Sequence, residues 1–131
     1  MTDTELPEAL AALAATLEAQ GFAVDEEPPN WESFGDQVIT FEDERLRVRL
    51  TRDRSIWTIE LGHPAWDRVY DPDLWRAALE GADPTMEPSE LEEQAAYVLG
   101  ALDTLREAAS DPALNERLAE IAVARADFWF R

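Results

Sequence analysis

Residues 37–61, QVITFEDERLRVRLTRDRSIWTIEL, decide the fold of this chain. Within them, apolar and polar residues alternate in three runs, over residues 37–42, 45–52 and 55–61. Alternation with a period of two is typical of β-strands, because successive side chains of a strand point to opposite faces. Short polar segments separate the runs, so we predict an antiparallel meander of three strands, which becomes four if residues 22–25 add another.

The alternation also predicts a register for the two hairpins. Phe41 pairs with Leu46 across the first turn, and Leu50 pairs with Trp57 across the second. This register places one apolar set on the inner face of the sheet. The set is Ile39, Phe41, Leu46, Val48, Leu50, Trp57, Ile59 and Leu61. A slip of one residue would bury arginines instead, so the inner face is strongly specified.

A helix is predicted before the strands, over residues 5–20. Four leucines recur there at spacings of three and four, which places them on one helical face. They are Leu6, Leu10, Leu13 and Leu17. We expect Thr4 to cap the start of this helix and Gly21 to end it in the left-handed conformation.

Three more helices are predicted after the strands from their capping residues. An Asp-Pro pair at residues 71–72 opens a short helix that ends at Gly81. A capping box over residues 89–92 opens a longer helix, and a second Asp-Pro pair at residues 111–112 opens the last one. The chain is therefore predicted to be a single α+β domain over residues 1–131, with the three later helices packed on one face of the sheet.

Net charge and composition exclude several functional classes. The 131 residues contain 11 arginines, no lysine and 29 acidic residues, for a net charge of −18. Such a surface repels nucleic acids and anionic membranes, so we expect neither as a partner. The absence of cysteine excludes a thiol nucleophile and a thiolate metal site. The apolar runs are too short to span a bilayer, and the first residues lack the basic start of a signal peptide. A composition without lysine and rich in alanine and arginine is typical of GC-rich bacterial genomes. We therefore predict a bacterial protein located in the cytoplasm.

The few positive charges are concentrated in one segment. Residues 1–44 carry −12, residues 45–54 carry +4, and residues 55–131 carry −10. The segment contains five arginines, of which the first three share the outward face of the middle strand and the last two lie at the following turn. They are Arg45, Arg47, Arg49, Arg52 and Arg54.

Two interpretations of these arginines stay open. In the predicted register Arg45 lies opposite Glu42 and Arg47 lies opposite Glu60, so the arginines can pair with acids of the neighbouring strands. Alternatively, they form a binding site for a carboxylate or a phosphate, whose geometry the guanidinium group matches.

The five tryptophans divide into two groups. Trp57 and Trp75 are predicted to be core residues. The other three, which fall in loops or at the C-terminus, are candidates to anchor a partner or to cover the end of the core. These are Trp31, Trp66 and Trp129. The aromatic residues 128–130 either staple the last helix to the sheet or form an exposed patch through which a homodimer assembles.

Few residues are suited to catalysis or to metal binding. His63 is the only histidine, and neither a Gly-x-Ser-x-Gly elbow nor a glycine-rich phosphate loop is present. Asp67, Asp71 and Asp73 lie near His63 in sequence, but Asp71 is better explained as a helix cap, so we predict no metal site, no cofactor and no catalytic residue.

The sequence favours a non-enzymatic interaction domain that binds a basic protein partner. In charge and size it is similar to small acidic immunity proteins, which neutralise toxins, and to small acidic secretion chaperones. The alternative is a protein that binds a small anionic ligand, or an enzyme acting on one, with a pocket between sheet and helices lined by Trp57, Trp66 and Trp75. A third hypothesis is an oligomerisation module.

Overall fold

The computed structural model describes residues 6–33 and 35–130. The elements in chain order are α1 (Glu8–Ala19), β1 (Ala23–Glu26), a 3-10 turn (Trp31–Ser33), β2 (Gln37–Glu42), β3 (Arg47–Asp53), β4 (Ile56–Gly62), α2 (Pro72–Glu80), α3 (Leu91–Ala109) and α4 (Pro112–Trp129). The strands form one antiparallel sheet in the order β1-β2-β3-β4. The predicted α+β class is confirmed, and β1 is the fourth strand of the meander.

Both hairpin registers differ from the prediction by two residues. Phe41 lies opposite Val48 rather than Leu46, and Leu50 lies opposite Ile59 rather than Trp57. A shift of two residues keeps every side chain on its own face, because the strand repeat is also two. The predicted inner face is therefore retained, whereas the predicted cross-strand pairs are wrong.

The turns explain the shift in register. In the β2–β3 turn, the Asp43 carboxylate accepts hydrogen bonds from the backbone N–H groups of Arg45 and Leu46, both at 2.8 Å, which makes a four-residue loop. The β3–β4 turn consists of Arg54 and Ser55, with φ angles of 53° and 70°. Two consecutive left-handed residues match the twist of a tight hairpin, so this turn lies one residue later than the predicted one.

The core lies between the inner face of the sheet and the helices. Helices α1, α2 and α3 contact the strands, whereas the main contacts of α4 are with α2 and α3. Trp75 is fully buried, as predicted. Trp57 is only partly buried, because its neighbour across the strand is Arg52 and not an apolar residue.

The helix ends follow the predicted capping chemistry in three of four cases. After α1, Gly21 has a φ of 90°, and the Phe22 N–H donates to the Leu17 carbonyl at 3.0 Å, as in a Schellman motif. This helix starts at Glu8 rather than residue 5, and Thr4 lies outside the described residues. The Asp71 carboxylate caps α2 by accepting the Leu74 N–H, and the Asp111 carboxylate caps α4 by accepting the Ala113 N–H, as expected.

The predicted capping box of α3 is wrong. The N-cap of α3 is Glu90, which makes no side-chain cap bond. Ser89 instead donates its N–H to Asp73 at 2.9 Å, and its carbonyl accepts from the Gln94 side chain at 3.2 Å. Since Asp73 fixes Ser89 from outside the helix, α3 begins one residue later than the capping pattern indicates. Among the described residues, no helix is both long and apolar enough to cross a membrane.

Candidate functional site

Within residues 6–33 and 35–130, no helix covers the outer face of the sheet. The buried cluster joins inner-face residues to the four helices and includes no outer-face residue of the described strands. Arg47 and Arg49 lie on this open face, as the alternation predicts. Each arginine is paired across the sheet, Arg47 with Glu42 at 2.7 Å and Arg49 with Glu60 at 3.4 Å. The predicted partners were wrong by two residues, because the register is shifted by two.

The structure does not bring the five arginines together. Arg45 is exposed in the β2–β3 turn, and Arg54 lies in the β3–β4 turn at the opposite end of β3. Arg52 belongs to β3 rather than to a turn, and its position opposite Gln37 puts it on the inner-face side. Its guanidinium lies 5.7 Å from the centroid of the Trp31 ring. A single arginine site for an anion is therefore not formed.

A shallow cleft of about 370 Å³ lies on the outer face beside β1. Its lining residues are Ala23, Asp25, Thr40, Glu42, Arg47 and Arg49. Two carboxylates and two guanidinium groups balance within this cleft. The charges of Arg47 and Arg49 are thus balanced by carboxylates of the sheet itself.

Other arginines are also held by contacts within the fold. Arg106 binds Asp43 at 2.5 Å, and Arg125 binds both carboxylate oxygens of Asp71, at 3.1 and 2.6 Å. Arg76 on α2 lies over the Tyr97 ring, with its guanidinium 5.2 Å from the ring centroid. None of these long-range partners can be deduced from local sequence patterns, since the pairs are far apart along the chain.

The acidic residues, in contrast, lie largely on the surface. Exposed carboxylates on or next to β1, α3 and α4 are those of Asp25, Glu26, Glu27, Glu92, Glu93, Asp103, Glu107, Glu116, Glu120 and Asp127. Because many of the described arginines are engaged within the fold while these acids face solvent, the surface that a partner meets keeps much of the negative charge of the sequence.

The two clearest pKa shifts outside exposed loops belong to contacts between elements. Burial raises the pKa of Asp43, but the N–H groups of Arg45 and Leu46 together with the Arg106 guanidinium outweigh it and hold that pKa below its ordinary value. Burial, followed by the nearby Glu80 carboxylate, raises the pKa of Tyr97 to about 12. Both groups tie secondary-structure elements together, which is a structural role.

Trp66 is part of the core cover rather than an exposed anchor. Its ring stacks on the buried Trp75 ring, with centroids 5.8 Å apart and an interplanar angle of 25°. The Trp75 indole N–H donates to the Leu61 carbonyl at 3.2 Å. Trp66 and Trp75 therefore pack on each other at the margin of the core.

Trp31 is exposed but held in place. It keeps 60% of its surface exposed, with Arg52 over its ring. Gly35, with a φ of 78°, packs so closely that an added Cβ would lie 2.7 Å from the indole. The geometry thus presents an ordered indole at the end of the sheet where the β3–β4 turn lies.

Residues 128–130 form an exposed cluster at the end of α4, which we call the aromatic tip. The Trp129 indole N–H donates to the Thr85 carbonyl at 3.1 Å, so the tip lies against the loop between α2 and α3, not against the sheet. The Arg125 guanidinium lies 4.8 Å from the centroid of the Trp129 ring. Phe130 is 82% exposed, and the neighbouring Met86 is exposed as well. The tip is an ordered apolar patch on an acidic molecule.

Two of the three acids near His63 in sequence, Asp71 and Asp73, have other partners. The Nδ1 atom of His63 accepts the Ala65 N–H at 3.0 Å, while Asp71 binds Arg125 and Asp73 accepts from Ser89. Across residues 6–33 and 35–130, no group of three or more side chains is arranged to hold a metal ion.

Comparison of the chain with protein-family models, with curated proteins and with solved structures gives no match. Function is therefore argued from the surfaces described above.

Proposed function

We propose that this chain is a non-enzymatic, acidic interaction domain that binds a basic protein partner. The observation that carries the proposal is the placement of charge: ion pairs and ring contacts hold many arginines within the fold, whereas the carboxylates face solvent. A basic partner would be attracted over a distance of about a Debye length, which is about 8 Å at physiological salt. Its charge would also discriminate against wrong partners. In this respect the chain is immunity- or inhibitor-like.

The aromatic tip supplies the apolar contact that such an interface needs. Charge speeds the encounter, but buried aromatic side chains usually dominate the free energy of binding. Trp129 is suited to this role because Arg125 and the Thr85 carbonyl hold its ring in place before any partner arrives. A side chain that is already ordered loses little conformational entropy on binding.

Affinity capture from the producing cells tests the proposal. The immobilised chain is exposed to cell extract at about 50 mM and about 300 mM salt, and the retained proteins are identified by mass spectrometry. We expect a basic protein in roughly stoichiometric amount at low salt, and much less of it at high salt, because salt screens the attraction. An empty column at both salt concentrations, or retention of acidic proteins only, would contradict the proposal.

A tip variant serves as the matched test of the apolar contact. W129A/F130A keeps every charge, so it should recover the same basic protein with at least tenfold weaker affinity. F130A alone is the milder member of the series, because the Phe130 side chain is 82% exposed. If W129A/F130A binds as tightly as the unmodified chain, the tip is not part of the interface.

Homodimerisation through the aromatic tip is a second candidate function, favoured by the exposure of Phe128 and Phe130. Two copies would bring two strongly negative molecules together, which opposes this assembly at low salt. Light scattering during size exclusion distinguishes the candidates. A dimer that becomes a monomer in W129A/F130A would favour self-association, and a monomer at both salt concentrations would exclude it.

A small anionic ligand is a third candidate, favoured only by the presence of Arg47 and Arg49 in the outer-face cleft. Both arginines would have to exchange their glutamate partners for the ligand. A thermal-shift screen with carboxylate and phosphate metabolites tests it, since a ligand that binds the folded state raises the melting temperature.

A further inference from the structure

Among the residues that the structure describes, strand β1 has no strand partner on the side that faces away from β2. It is the first strand in the order β1-β2-β3-β4, and among the described elements its main contacts are with β2. The Glu27 N–H donates to the Val38 carbonyl at 3.0 Å. This bond shows which alternate residues of this strand direct their backbone groups toward β2. In an antiparallel ladder the backbone groups point alternately toward and away from the partner strand. The N–H and C=O groups of Val24 and Glu26 therefore point away from β2, to the free edge.

The residues around this edge are exposed, and most of them are acidic. All four residues of β1 are exposed, and Glu27 beyond them is exposed as well. Val24, on the inner-face side, keeps 42% of its surface exposed. Asp25 points to the outer face, where it lines the cleft of about 370 Å³.

These acids decide which strand can pair with the edge. Unpaired edges invite other strands, and native proteins protect them with charge and with short edge strands. A second copy of β1 would place carboxylates beside carboxylates, which destabilises a cross-strand arrangement. A strand with arginine or lysine at the same positions would instead place opposite charges side by side, so the edge that repels a second copy attracts a basic strand.

We infer that the basic partner binds by adding one of its strands to the free edge of β1. This inference rests on the proposed function and specifies its geometry. Main-chain hydrogen bonds to Val24 and Glu26 supply affinity, and cationic side chains opposite Asp25 and Glu26 supply selectivity. An apolar residue of the added strand covers Val24.

A proline substitution tests the main-chain part of this inference. V24P removes the N–H that points to the free edge, while the hydrogen bonds between β1 and β2 and all the acids are retained. Proline is tolerated in edge strands where the lost N–H faces solvent. The probe is a ten-residue peptide of alternating arginine and valine with capped ends, and binding is measured by fluorescence anisotropy at about 50 mM salt. We expect V24P to weaken binding at least fivefold, and V24T, which keeps the N–H, to bind as the unmodified chain does.

Hydrogen exchange on the unmodified chain gives an independent measurement that does not require any variant to fold. The amides of Val24 and Glu26 should exchange quickly in the free protein and at least tenfold more slowly with the peptide bound. An acidic peptide of alternating glutamate and valine is the control, and it should leave both amides unchanged.

The outcomes separate this inference from the proposed function. If the basic peptide binds, but V24P binds it equally well and the two amides are unaffected, strand addition is wrong while the acidic binding surface is retained. Failure of the basic peptide to bind also overturns strand addition. Whether the chain binds a basic protein at all is tested separately, by affinity capture from cell extract. Slower exchange at Val24 and Glu26, together with weaker binding to V24P, supports the inference.

Discussion

Individual residues at the turns decide the register of the sheet. The loop of the first hairpin is set by the hydrogen bonds that Asp43 accepts, and that of the second by the left-handed conformations of Arg54 and Ser55. The Arg54-Ser55 pair differs from the Asn-Gly sequence that favours such a tight turn. The β3–β4 turn therefore retains backbone strain that a substitution can remove.

Replacing Ser55 with glycine should stabilise the fold. Glycine adopts a φ of 70° without the steric cost that serine incurs, so S55G should raise the free energy of unfolding by about 1 kcal/mol. Urea denaturation monitored by tryptophan fluorescence measures the change. The matched control is S110G, because Ser110 has a φ of −77° and glycine brings no conformational benefit there. A lower midpoint for S55G than for the unmodified chain would show that its turn is not strained.

Asp43 should make the stability of the protein depend on acid pH. Its pKa in the folded state lies below the ordinary value of 3.8, so its stabilising effect is complete above about pH 5 and is lost as the pH falls through the folded-state pKa. D43N should lower the free energy of unfolding by about 1–3 kcal/mol at pH 7, since Arg106 loses its charged partner. The difference from the unmodified chain should shrink toward pH 3.

Asp103 provides the control for this pair. It also approaches Arg106, at 3.9 Å, but its side chain is 97% exposed. We expect D103N to change the free energy of unfolding by less than about 0.5 kcal/mol. Equal effects of D43N and D103N at pH 7 would contradict the role assigned to Asp43.

At the scale of elements, periodicity predicts which face is buried, but not which residues are paired. The alternation over residues 37–61 identifies the strands and their inner face, and the Asp-Pro caps locate the starts of α2 and α4. Register depends instead on turn geometry, and the period of two is unchanged by a shift of two residues. The predicted capping box of α3 is wrong because Asp73, which is 16 residues away, accepts the Ser89 N–H. A local capping pattern does not indicate a contact between residues that far apart.

The sequence likewise predicts some features of the candidate surfaces and not others. The sequence predicts the acidic surface and the outward direction of Arg47 and Arg49, because both follow from composition and alternation. It does not predict that Trp66 stacks on Trp75, nor that Trp129 binds the loop at Thr85. Such contacts depend on tertiary packing between elements, for which the local sequence has no periodic signal.

The C-terminal half of α4 depends on its contact with α2. Leu114 and Leu118 are the buried residues of α4, and both lie in its first half. Arg125, with its two bonds to Asp71, holds the second half. R125Q should therefore increase hydrogen exchange at the amides of residues 122–129 and lower the free energy of unfolding by about 1–2 kcal/mol. R117Q, in the exposed part of the same helix, is the control and should leave both quantities nearly unchanged.

For the whole molecule, a net charge of −18 must produce self-repulsion in the folded state. Raising NaCl from about 20 to about 200 mM reduces the Debye length from about 20 to about 7 Å, so the melting temperature should rise by a few degrees. The triple variant E92Q/E93Q/D103N, which removes three exposed carboxylates of α3, should show a smaller rise. A melting temperature that falls with salt would mean that the internal ion pairs outweigh the repulsion.

The acidic surface and the free edge of β1 together define how this molecule would recognise a partner. Two variants with the same net charge distinguish a general attraction from a localised interface. D25N/E26Q/E27Q removes three carboxylates at the edge, and E92Q/E93Q/D103N removes three on α3. Both raise the net charge by three, so non-specific attraction should fall equally in both.

The most direct test of the central claim is capture from the same cell extract on three parallel columns, carrying the unmodified chain and the two triple variants. We predict that a basic protein is retained by the unmodified chain and by the α3 variant, and that the edge variant retains several-fold less. Retention of no basic protein on any column would contradict the claim that this chain binds a basic partner.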